Sequence, residues 1–104
     1  MSVIQGVLFE EVQRLQEVVD YYKEMLKDLP SGSLFIRKMG NSSFAYLKRK
    51  EHGKVVSVYL GNINNQNVKD EIEKNRDYKR IKANLRSAGL ELNKLKKAYK
   101  VYER

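Results

Sequence analysis

Apolar residues recur in alternating steps of four and three at both ends of this 104-residue chain, a spacing that admits few structures. Leu8, Val12, Leu15, Val19, Tyr22, Leu26 and Leu29 form the first series, and Val7, Val18 and Met25 widen its stripe enough to meet more than one neighbour. This predicts a helix over about 5–29. Ser2 with Gln5 offers a capping box, although Gly6 weakens that first turn, and Pro30 stops the helix by disfavouring helical geometry in the residue before it. The second series is Tyr78, Ile81, Leu85, Ala88, Leu92, Leu95, Tyr99 and Tyr102. Val68 and Ile72 fit it less well, so the phase must shift near Asn75. Ser87-Ala88-Gly89 offers a kink, yet the heptad keeps its phase across Gly89, which predicts one helix over about 67–103 capped by Asn67. Asp70, Glu71 and Glu73 would then sit where the helix dipole favours anions, a better account of them than cation binding. At 1.5 Å per residue the second helix is ~54 Å long and the first ~35 Å. That mismatch would leave Leu92, Leu95 and Tyr99 unpaired in a monomer, so a homodimer is expected.

Between the helices the period changes to two. Gly40-Asn41 and His52-Gly53 are two-residue hairpin loops, and they fix a register that can be checked against itself. The first loop pairs Arg37 with Phe44, Ile36 with Ala45, Phe35 with Tyr46 and Leu34 with Leu47; the second pairs Lys48 with Ser57, Leu47 with Val58, Tyr46 with Tyr59 and Ala45 with Leu60. Both agree on one aliphatic face of Leu34, Ile36, Ala45, Leu47, Val56, Val58 and Leu60, with Lys38 and Arg49 at its margins. The opposite face mixes aromatic and basic residues: Phe35, Arg37, Phe44, Tyr46, Lys48, Lys50, Val55, Ser57 and Tyr59. The fold class is therefore α+β: a long N-terminal helix, a three-stranded antiparallel meander over about 33–61, and a long C-terminal helix with coiled-coil character. The length suits a single domain spanning 1–104.

Charge divides along the chain. Residues 1–29 hold three basic and six acidic residues, 30–61 hold six basic and one acidic, and 62–104 hold twelve basic and six acidic, for +8 in all. The sheet and second helix thus supply the whole positive excess, which suits an anionic partner. The absence of cysteine excludes disulfides and thiolate metal sites and fits a reducing cytoplasm. No stretch approaches the ~20 apolar residues of a membrane span, and the N-terminus has no signal-peptide pattern.

Leu29-Pro30-Ser31-Gly32-Ser33-Leu34, Phe44-Ala45-Tyr46-Leu47, Gly53-Lys54-Val55 and Tyr59-Leu60-Gly61 together resemble a family of short uncharacterised bacterial and archaeal proteins. Its pattern is Leu-Pro-x-Gly-Ser-Leu, a Tyr-x-Tyr-Leu-like strand, a Gly-Lys-Val turn and a closing Tyr-Leu-Gly. The resemblance covers about a third of the chain and implies a helix–meander–helix layout with no assigned activity. More loosely, the basic meander followed by a helix is similar to arm-binding domains of phage integrases, whose sheet enters a DNA groove; the long N-terminal helix and extended coil here depart from that pattern.

No constellation for catalysis is present, so the chain reads as non-enzymatic, without metal or cofactor. His52 is the single histidine and belongs to a turn, and no phosphate-binding glycine loop precedes a helix. The candidate site is instead a nucleic-acid interface. Phe35, Tyr46 and Tyr59 would align across three strands beside Arg37, Lys48 and Lys50, joining stacking surfaces to phosphate-neutralising charge. Lys79, Arg80 and Arg86 add a basic helical surface. Two plainer readings compete: a cross-strand aromatic ladder that only stabilises the meander, or a face covered by a helix with its lysines snorkelling at the edge. The functional expectation is a small nucleic-acid-binding or accessory protein. The alternative is a protein-interaction adaptor, inhibitor or oligomerisation module acting through its coiled-coil seam.

Overall fold

The computed structural model describes residues 3–103, and of Tyr102 and Glu103 the backbone alone. The elements are α1 (Val3–Leu26), β1 (Ser33–Met39), β2 (Ser42–Glu51), β3 (Lys54–Asn62) and α2 (Gln66–Glu103). The strands form an antiparallel sheet in the order β1-β2-β3, the α+β layout expected. No described helix is long and apolar enough to cross a membrane. The Ser2 capping box and the Tyr102 seam contact lie outside the described residues. Contacts gather into two compact units, residues 29–80 on one side and residues 1–28 with 81–104 on the other, and α2 runs through both.

In the sheet unit, the β1–β2 register is the expected one, with Phe35 opposite Tyr46 and Leu34 opposite Leu47. The β2–β3 register agrees as far as Tyr46–Tyr59 and then breaks. Ala45 faces Gly61 rather than Leu60, because a bulge inserts Leu60 as an extra residue. The second hairpin turns through His52 and Gly53, both at positive φ (52° and 80°), the type I′ geometry whose twist matches the flanking strands. Gly32 (φ 108°) carries the chain into β1, and a Cβ there would collide with the Lys48 carbonyl oxygen.

Ala45 and Leu47 are buried at the centre of the aliphatic face, and Leu34, Val56, Val58 and Leu60 are half-buried around them. Ile36 is exposed, against expectation, because it lies on the edge strand β1 beside an open hollow with Ile63 and Ile72. The first half of α2 covers this face, with buried Val68 against Gly61. Asn75 is 2% exposed, and its Nδ2 donates to the carbonyls of Pro30 (3.0 Å) and Gly32 (3.1 Å).

Both helix ends differ from the expectation. α1 stops at Leu26, not near Leu29, as the chain turns ahead of Pro30. α2 is capped by Asn65 rather than Asn67: the Asn65 Oδ1 accepts from the Asn67 amide (2.8 Å), and its carbonyl accepts from the Lys69 amide (3.0 Å). Asp70, Glu71 and Glu73 consequently lie beyond the first turn, where the dipole acts weakly. α2 is one helix through Gly89.

In the helical unit, α1 and the second half of α2 run antiparallel. Phe9 meets Tyr99 with ring centroids 5.9 Å apart near one end, while Lys23 and Arg86 line one groove towards the other. Leu15, Val19, Ala88 and Leu92 form the buried core, with Val12, Val18, Tyr22, Leu85 and Leu95 packed around it. The premise of the expected dimer therefore fails. Leu92, Leu95 and Tyr99 are covered by α1 of the same chain, and the extra length of α2 lies at its other end, on the sheet.

Candidate nucleic-acid interface

Alternation along the strands places the candidate residues in cross-strand rows on the face opposite Ala45 and Leu47. Phe35, Tyr46 and Tyr59 form one row. Arg37 and Phe44 form the row on one side of it; Ser33, Lys48 and Ser57 form the row on the other, followed by Lys50 opposite Val55. The rings touch along their row. Phe35 and Tyr46 stack at 5.0 Å with planes 14° apart, Tyr46 and Tyr59 meet at 5.4 Å and 58°, and Phe44 closes on Tyr59 at 6.2 Å. The Lys48 ammonium sits 4.9 Å from the centroid of Phe35. Such contacts stabilise a meander by themselves, so the aromatic ladder is real.

The ladder also decides where a ligand can stack. Tyr46 stands between two rings, and Phe35 is occupied by Tyr46 and by Lys48; both are half-buried. Tyr59 is 58% exposed, the most accessible ring of the row. Arg37, Lys48, Lys50, Val55 and Ser57 are exposed around it, so within the sheet unit this face is open. Within the sheet unit, α2 lies over the other face.

The six sheet residues, Phe35, Arg37, Tyr46, Lys48, Lys50 and Tyr59, are thus brought together. The helical candidates are not part of that surface. Lys79 and Arg80 lie on α2, with Arg80 held 3.3 Å from Asp77. Arg86 belongs to the helical unit, where it lines a groove of about 420 Å³ with Lys23 and Lys96. Phe44 and the Lys48–Phe35 contact were missed as site features. Phe44 was visible in the alternation, whereas the lysine's placement over a ring depends on a side-chain conformation that no spacing encodes. Among the described residues, no group of three or more His, Cys, Asp or Glu side chains converges in metal-binding geometry. The chain matches no family model, no curated protein and no solved structure.

Proposed function

We propose that this is a non-enzymatic nucleic-acid-binding or accessory protein of a reducing, cytoplasm-like compartment, and that the open face of its meander is the binding surface. The supporting observation is the exposed Tyr59 ring set among Arg37, Lys48 and Lys50 on one uncovered face. A single strand suits it best: a base stacks on Tyr59 while its neighbouring phosphates meet the three cations. With no polar side chains arranged to read base edges, binding is sequence-tolerant and salt-sensitive. Lys79 and Arg80 extend the positive charge along α2.

Fluorescence anisotropy with labelled single-stranded and duplex oligonucleotides, titrated across salt, tests this. For roughly four to six neutralised phosphates, log K for a single strand falls against log salt with a slope of about −3 to −4. Replacing Arg37, Lys48 and Lys50 together by Gln should remove about two units of that slope. Tyr59→Ala should weaken single-strand binding, by more than Tyr46→Ala does, and leave the slope unchanged. Absence of binding at low salt would refute the proposal. A protein-interaction role is the second reading, favoured by the exposed apolar residues Ile4, Val7 and Tyr21 of α1.

A further inference from the structure

α1 carries a second heptad series, offset from the one that fills the hairpin core, of which Val18 also packs against that core. Ile4, Val7, Glu11, Arg14, Val18, Tyr21 and Met25 follow one another in alternating steps of three and four. Ile4 and Val7 are each 56% exposed and Tyr21 is 62% exposed, while Val18 and Met25 are half-buried. The two charged members of the series are bonded to each other. Arg14 donates from Nη2 to Glu11 Oε2 at 3.0 Å, and its Nε pairs with the other carboxylate oxygen. That hydrogen bond holds the Glu11 carboxyl below its ordinary range and raises Arg14, which Glu91 of α2 raises further.

We propose that this seam docks, antiparallel, onto the same seam of a second copy of the chain. The charge pattern selects both the partner and the register. In an antiparallel pair, each position of one kind packs against the other kind on the facing helix, and a two-fold axis makes every contact reciprocal. Laid against itself in this way, the series brings Ile4 onto Tyr21 of the second copy, Val7 onto Val18, and Glu11 onto Arg14. Each contact then recurs in the opposite sense. The two central ion pairs lie across the axis, with apolar layers on both sides. Sliding the copies by one heptad sets Glu11 and Arg14 against apolar residues of the second copy, either Val7 and Ile4 or Tyr21 and Val18, and a parallel arrangement sets Glu11 against Glu11 and Arg14 against Arg14. Like charges so placed cost several kcal/mol and disfavour the parallel pair, while the slipped antiparallel pairs lose both ion pairs, so the in-register antiparallel pair is favoured. Glu10 and Glu17 oppose their counterparts along the outer edge, which weakens the pairing. The proposal is independent of nucleic-acid binding.

Sedimentation equilibrium of the full chain, without nucleic acid, over about 5–200 µM tests it. The wild type should pass from monomer to dimer. Glu11→Arg and Arg14→Glu should each weaken dimerisation at least about tenfold, with helical circular dichroism unchanged because both residues are on the surface. The double variant, which restores opposite charges in the same register, should recover most of the loss. A wild type that stays monomeric throughout would overturn the proposal. Single variants that associate like the wild type, or a double variant no better than the singles, would overturn it equally.

Discussion

Asn75 is the point at which a single atom matters most. It is the buried polar residue of the sheet unit, and one amide nitrogen satisfies two carbonyls, those of Pro30 and Gly32, at the entrance to β1. Asn75→Ala removes both hydrogen bonds, each contributing about 0.5–1.5 kcal/mol net. It also leaves two carbonyls facing the space where the amide stood. The expected cost is about 2–4 kcal/mol, a large share of the ~5–15 kcal/mol by which domains are stable. Asn75→Asp keeps the shape and replaces the donor by an acceptor. Burial beside two carbonyl oxygens would push that carboxyl above the ~3.9 of an unfolded aspartate. A raised folded pKa means the native state prefers the proton, so the ionisation penalty is absent below pH ~3.9 and accumulates as pH rises. Urea melts of wild type, Asn75→Ala and Asn75→Asp at pH 7 and about pH 3.5 measure this. A loss below about 1 kcal/mol for the alanine variant, or an aspartate penalty that does not grow with pH, would refute the reasoning.

Leu47→Ala should cost about 2–4 kcal/mol because it empties the centre of the aliphatic face, whereas Tyr46→Ala on the open face should cost less; denaturant melts in which the order reverses would mean the faces are wrongly assigned. Gly32→Ala should destabilise by more than about 2 kcal/mol, since its Cβ meets the Lys48 carbonyl at a φ that alanine resists. Gly89→Ala should stabilise by about 0.5–1 kcal/mol, because a Cβ there enters open space within a regular helix; thermal melts distinguish the two glycines.

What the sequence revealed follows from the range of each signal. The β1–β2 register was legible because a two-residue loop and strict alternation leave no freedom. The Leu60 bulge was not, since it preserves alternation up to Tyr59 and sets Gly61 against Val68 of another element, a contact that strand spacing does not encode. The phase shift near Asn75 was visible, and it marks where the stripe of α2 passes from sheet unit to helical unit, between Asn75 and Ile81. Leu92 and Tyr99 were wrongly expected to lack a partner within the chain, because helix lengths alone do not say which end overhangs. The shared face of the candidate sheet residues was legible from alternation, but not the ranking among the rings, which depends on how each ring is stacked by its neighbours.

The two proposals bear on one another through valence. The self-docking seam lies on α1 and the proposed phosphate-binding face lies on the sheet, so the two surfaces share no residue. One sheet face offers one freely accessible ring and three cations, which supports only weak binding at physiological salt. Pairing through α1 would give one particle two such faces, and a strand long enough to reach both would bind with an effective concentration in place of a second encounter. Affinity would then rise with strand length for the wild type and lose that rise in Glu11→Arg, while short strands bound both alike.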